Sequence, residues 1–244
     1  MEPVDAASPP PRQHLVDLLW RPPSTPRRGP RPTLTLDAIA RAGIVIADAD
    51  GLGAVTMQRV AESLGVTKMA LYRYVPGKTE LVALMIETGV GEPPALPTDL
   101  PWRDRLDAWA RQMYDRFRRH PWAVAATVGV RVMGPNELGW MERAVAALEG
   151  TRLHGGEKLD VVVLLVGHVR NLAQQVAAID TDTPERAMEP GLSALLRGHE
   201  RRFPALLAAV ASSAAQDGQD QALDFGLSRI LDGVQMLVTD RAAS

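Results

Sequence analysis

Residues 64–82, "LGVTKMALYRYVPGKTELV", decide how the rest of the chain is read. Gly65 supplies a left-handed turn that bulkier residues resist. Thr67 then opens a short helical segment running to about Tyr74, and "VPGK" breaks it. Leu71 is the apolar anchor of that segment and packs inward with Val60, Leu64 and Val66. Thr67, Lys68, Met69, Ala70, Tyr72 and Arg73 are left on the outer face.

Upstream, Leu36, Ile39, Ala40, Gly43, Ile44 and Ala47 recur with helical spacing, predicting an amphipathic helix capped by Thr35 and ended within Asp48 to Gly51. Thr56 caps a second, short helix, and Thr79 is expected to cap a fourth, "ELVALMIETGV". Downstream of the proline-rich "GEPPALPTDLP", the apolar spacing stays helical through "WRDRLDAWARQMYDRFRRH", "PWAVAATVGVRVM", "GPNELGWMERAVAALEG", "GGEKLDVVVLLVGHVRNLAQQVAAID", a segment from Pro190 to about Ser213, and "DQALDFGLSRILDGVQMLVTD". Alternating strand patterns are scarce, so the fold class is all-α. Three regions are expected: a Pro/Arg-rich flexible arm over 1–33, a helix-turn-helix domain over 34–90, and a larger helical ligand-binding and dimerisation domain over 95–244. Within the arm, "HLVDLLW" (His14 to Trp20) is apolar enough to form a helical turn that docks.

Composition excludes several alternatives. With a formal net charge of -2 the chain is no polycation, so any nucleic-acid surface is local. The absence of cysteine removes disulfides and thiolate metal sites and fits a reducing cytoplasm. The N-terminus is unlike a signal peptide, and "LDVVVLLVGHV" is too short to span a bilayer. The five histidines, at 14, 120, 154, 168 and 199, never stand four residues apart. No H-E-x-x-H, G-x-S-x-G, P-loop or G-x-G-x-x-G occurs. "DTDTPE" (Asp180 to Glu185) lacks the glycine and further ligands of a calcium loop and reads as a loop with a helix cap. The chain is not expected to be an enzyme, and no cofactor or metal is expected.

Two short helices joined by a glycine turn and braced by a third make a helix-turn-helix, whose second short helix enters the DNA major groove. Lys68 and Arg73 can reach guanine edges or phosphates, Thr67 can bond either, and Met69 can touch a thymine methyl. The hydroxyls of Tyr72 and Tyr74, the ammonium of Lys78 and the helix start at Thr56 offer donors to phosphate oxygens. The competing reading is a solvated helix in a small helical domain. Residues 51–85, "GLGAVTMQRVAESLGVTKMALYRYVPGKTELVALM", closely resemble the DNA-binding domain of TetR-family repressors: the opening Thr, "VA..LGV", "LYRYV" and the following Lys stand in family order and spacing. More loosely, "RRHPWAVA" followed by "GPNELGWMERAVAAL" resembles the ligand-binding half of the tetracycline-repressor branch. The resemblance implies DNA contacts from the positions of Thr56, Gln58, Thr67, Lys68, Met69, Tyr72, Arg73, Tyr74 and Lys78. A histidine often stands in the family where Tyr74 stands here. Base-reading positions vary across the family, so the operator does not carry over.

The segment "RPPSTPRRGPRPT" sets Arg27, Arg28 and Arg31 just before the first helix of this domain, resembling the minor-groove arms of other DNA-binding proteins. An unstructured tail with arginine-biased composition fits the same residues. In the C-terminal part, Trp109, Met113, Phe117, Trp122, Met133 and Trp140 are apolar candidates for an effector cavity. His168, Asn171 and Gln175, spaced i, i+3, i+7, present a polar stripe on one helix face. Core packing or a dimer interface would account for the same residues. Together with the resemblance, they imply a ligand-responsive repressor that binds a palindromic operator as a homodimer and is released by a hydrophobic or aromatic effector. A regulator without an inducer, or an activator, stays open. The family's four-helix dimer interface matches best to about Gly156 to Ile179 and Gln221 to Val238. The second of these carries Leu223, Leu227, Ile230, Leu231, Val234 and Leu237.

Overall fold

The computed structural model describes residues 13–20, 34–179, 191–215 and 222–243, and the regular structure there is helical throughout. The chain divides into two compact units: Met1–Ala95 with Arg119–Arg143, and Leu96–Arg118 with Ala144–Ser244.

In the first unit, α1 (Gln13–Trp20) is followed by α2 (Leu36–Asp50), a single 3₁₀ turn (Leu52–Ala54), α3 (Met57–Ser63), α4 (Lys68–Tyr72) and α5 (Lys78–Val90). Thr35 caps α2 by accepting from the Ala38 amide at 3.1 Å. Gly51, at φ +78°, ends the helix and donates to the Ala47 carbonyl at 2.9 Å. The expected apolar face is buried except for Leu36, which is half-buried, and Ile46 joins it. That face packs on α5, with Leu81 and Met85 against Gly43. The approach is close at Gly43, where a Cβ would stand 2.7 Å from the Met85 sulfur.

Three local expectations are corrected. The third helix stops at Tyr72, because Arg73 is its C-cap. Thr79 does not cap α5: the helix starts at Lys78, two residues earlier than expected, with Gly77 as N-cap and no side-chain cap bond. Helix α7 covers only Pro121–Ala126, short of the "PWAVAATVGVRVM" run. Gly129, at φ +91°, turns the chain away from helical geometry before α8 (Pro135–Ala147) begins.

The second unit contains α6 (Trp102–Arg119) up to Arg118, the end of α8, α9 (Gly155–Ile179), a helical turn over 191–196 called α10, α11 (Pro204–Ala215) and α12 (Ala222–Ala243). Helix α6 buries Leu106, Trp109, Ala110, Met113 and Phe117, one stripe at helical spacing. Helices α9 and α12 run antiparallel. Arg241 near the end of α12 pairs with Glu157 at the start of α9, and Gly226 near the start of α12 abuts His168 in the middle of α9. Val161, Leu165 and Val169 of α9 and Leu227, Leu231 and Val234 of α12 are buried in this pair. Arg103 and Arg111 of α6 hold α12 through Asp232 and Asp224, each at 2.6 Å. The "DTDTPE" segment and Arg27, Arg28 and Arg31 lie outside the described residues.

Gly43→Val is expected to destabilise the protein by about 1–3 kcal/mol, because the added branches meet Met85 in a packed interior. Urea unfolding of the full chain measures this. Adding Met85→Ala, which vacates the space, recovers part of the loss.

Candidate nucleic-acid interface and effector residues

The five residues of α4 form too short a helix to persist alone, so its neighbours hold it. Helix α3 ends in a Schellman turn: Gly65, at φ +65°, donates to the Glu62 carbonyl, and Val66 donates to that of Ala61, both at 3.0 Å. Thr56 and Thr67 cap α3 and α4 by accepting from the amides of Arg59 at 3.1 Å and Ala70 at 3.2 Å. Each hydroxyl keeps its own proton for an outside acceptor. Leu71 and Val75 are fully buried and pull α4 onto the head.

This leaves Thr56, Gln58, Thr67, Lys68, Met69, Arg73, Tyr74 and Lys78 exposed and Tyr72 half-buried. Met69 is 72% exposed, a high value for a large apolar side chain. The Lys68 ammonium lies 5.6 Å from the centre of the Tyr72 ring. Lys78 reaches the Leu52 carbonyl at 3.4 Å. Gln58 is engaged within α3, donating to Glu62 at 2.6 Å. Arg59 pairs with Asp50 and Arg41 with Asp37, away from α4. Lys68, Arg73 and Lys78 thus present cationic heads that no described carboxylate neutralises.

The nine effector candidates fall into two groups. Trp109, Met113 and Phe117 belong to the buried stripe of α6, with the Arg170 guanidinium 5.8 Å from the Phe117 ring centre. On α9, His168 is half-buried against Gly226 and its Nε2 has no hydrogen-bond partner, whereas Asn171 and Gln175 are exposed. Trp122, Met133 and Trp140 belong to the unit that contains α4. Trp122 donates to Asp48 of α2 at 2.7 Å, and Trp140 donates to the Gly91 carbonyl at 3.1 Å. Met133 is exposed. Among the described residues, no cluster of histidine and carboxylate side chains could hold a metal ion, and no helix is long and apolar enough to cross a membrane.

The anchors of this unit include residues that no motif marks. Asp48 accepts from His120 Nδ1 at 2.9 Å as well as from Trp122. The Trp122 ring lies over Gly89, where a Cβ would meet it at 3.4 Å. Glu87 of α5 accepts the Asn136 amide at 2.7 Å, and the Glu87 carbonyl accepts the Asn136 side chain at 3.0 Å. The second Glu87 carboxylate oxygen is buried without a partner against Gly134. Burial pushes the Glu87 carboxyl above its ordinary value, the Asn136 amide draws it back, and nearby Glu137 adds to the rise.

Residues 93–238 match the model of the tetracyclin repressor-like C-terminal domain, and residues 39–85 match that of the tetR family of bacterial regulatory proteins. Helix α1 precedes both matches. The chain is 37% identical over 241 residues to the HTH-type transcriptional repressor DrrR1 of Streptomyces coeruleorubidus, covering 93% of this chain and 86% of that protein. Apo ActR from Streptomyces coelicolor superposes with a TM-score of 0.74 at 23% identity, over 86% of this chain and 99% of that one. ActR in complex with (S)-DNPA gives 0.70 at 26%, over 84% and 98%.

The raised Glu87 carboxyl has a signed consequence. The unfolded chain ionises first, near the ordinary value of 4.5, so rising pH removes stability until the native carboxyl also ionises. Glu87→Gln abolishes that loss. Its urea midpoint relative to wild type should climb from about pH 4.5 upward and then level. A difference that stays flat with pH contradicts the assignment.

Proposed function

The chain belongs to the TetR family of bacterial transcription regulators, DNA-binding proteins rather than enzymes, and we propose that it is a ligand-responsive repressor. In this reading it works in the cytoplasm as a homodimer on a palindromic operator. The observation that carries the reading is the outer face of α4 and its flanks: Lys68, Arg73 and Lys78 exposed and unneutralised beside Thr67, Met69, Tyr72 and Tyr74. Lys68 and Arg73 read base edges or grip phosphate. Thr56, Gln58, Tyr74 and Lys78 fix the register on the backbone. Arg27, Arg28 and Arg31 add minor-groove or phosphate contacts. Similarity to a protein named as a repressor supports the sense of regulation.

Two such helices must stand about 34–36 Å apart to enter successive major grooves, which calls for a twofold pair. The exposed apolar residues of α9 and α12 suit that pairing: Leu159, Val163 and Leu164 on one, Phe225 and Met236 on the other. The effector is a hydrophobic or aromatic molecule. Its candidate contacts in the second unit are Trp109, Met113, Phe117, His168, Asn171 and Gln175; Trp122, Met133 and Trp140 are the candidates in the first. The ligand-bound structure of ActR supports this class of response. Binding acts on DNA by shifting α5, on which Trp122 rests at Gly89.

Duplexes selected from a random pool, followed by a screen for compounds that dissociate the complex, test this reading. Lys68→Ala is expected to weaken binding to a selected duplex by about 1–3 kcal/mol, and substituting Arg27, Arg28 and Arg31 together should lower the salt slope by about one unit per lost phosphate contact. Val163→Asp should yield monomers in sedimentation. A wild type that enriches no palindrome at low salt sinks the proposal. Tighter binding with the effector would mark the opposite sense of regulation.

A further inference from the structure

Helix α5 lacks a side-chain cap, yet its first turn carries Lys78. The residue that organises this turn is Glu80, three positions past the Gly77 N-cap, where a carboxylate complements the helix dipole. Glu80 folds back over Gly77: a Cβ there would lie 3.0 Å from its second carboxylate oxygen, so position 77 favours glycine on space rather than on φ. The Glu80 side chain is 6% exposed. A carboxylate that dry needs a held partner.

One partner comes from α1. His14 Nε2 stands 2.7 Å from Glu80 Oε1. Leu15 and Leu19, one turn apart on α1, are buried, and α1 packs on α5. At the other end of α1, Trp20 donates its indole N–H to the Met133 carbonyl at 3.0 Å. Met133 stands three residues before Asn136, which the far end of α5 holds through Glu87. Helices α1 and α5 therefore join the same two places: the turn that bears Lys78 and the corner at 133–136.

Resting on the DNA-binding reading above, we propose that α1 is a positioning strap for that function. His14, acting through Glu80, sets the first turn of α5 and with it the reach of Lys78, and Trp20 ties that setting to the 133–136 corner. His14 touches no DNA in this scheme. It fixes the backbone from which Lys78 extends.

The test uses the full chain and a duplex selected from a random pool by the wild type. His14→Ala is expected to speed amide exchange at residues 78–82 of the free protein and to weaken duplex binding roughly three- to tenfold, the loss of one hydrogen bond to a carboxylate. His14→Gln, which can still donate to Glu80, restores both. Lys78→Ala weakens binding without changing exchange in that turn, and the double variant His14→Ala/Lys78→Ala binds no worse than Lys78→Ala alone. Leu19→Asp, which undocks α1, reproduces the His14→Ala exchange pattern and extends it to residues 133–136. Additive losses in the double variant, or unchanged exchange in both His14→Ala and Leu19→Asp, overturn the proposal. A wild type that selects no duplex defeats the DNA-binding reading instead, and the strap's role in binding falls with it. A wild type that binds while His14→Ala binds equally well defeats only the strap.

Discussion

The burial of Leu71 and Val75 is the interaction on which the exposed face of α4 depends. A helix of five residues has too few internal hydrogen bonds to offset the order it imposes. Its outer residues face water together only because these two side chains hold the inner face. The Gly65 turn and the Thr67 cap set the angle at which they do so. Polar residues on one side and a fully buried leucine on the other are thus two aspects of one constraint.

Around this element, the head is tied together by carboxylates. Asp48 of α2 collects donors from His120 and Trp122, and Glu80 of α5 faces His14. Glu87, also of α5, collects both donors of Asn136 through its carboxylate and its carbonyl. Each pairs an element of this unit with a segment remote in sequence, and Glu80 in particular is shielded from water to a degree that makes an unpaired partner costly. Glu87 shows the limit of the device: one of its oxygens remains unpaired, and its carboxyl rises accordingly. Helices α2 and α5 therefore serve both as the packing core of the head and as the rails to which α1, α7 and the start of α8 are fastened.

Much of this was legible in the chain. Apolar residues at helical spacing announced α2, α6 and α9. Thr35 and Thr56 announced caps because a short hydroxyl side chain before an apolar run has few better uses, and Thr67 marked the start of α4. The outer residues of α4 could be picked out because Leu71 is the apolar anchor of that segment and the polar Thr67, Lys68 and Arg73 lie away from it. Thr79 misled because the threonine signal competed with a glycine whose merit is spatial: Gly77 leaves room for Glu80. The run after Pro121 misled because its apolar spacing continues past Ala126 although Gly129 turns the backbone out of the helix.

What the chain determined by itself was local: that these segments are helical, which faces are greasy, and which short helix carries exposed cations. These depend on neighbours a few residues apart, which any reader of the sequence can see. What only the tertiary structure decided was pairing at long range. It brought His14 to Glu80, His120 and Trp122 to Asp48, and Asn136 to Glu87, and it committed the indoles of Trp122 and Trp140 to anchoring. A hydrogen bond between groups dozens of residues apart leaves no periodic trace, because its geometry is set by how helices pack and not by the spacing along any one of them.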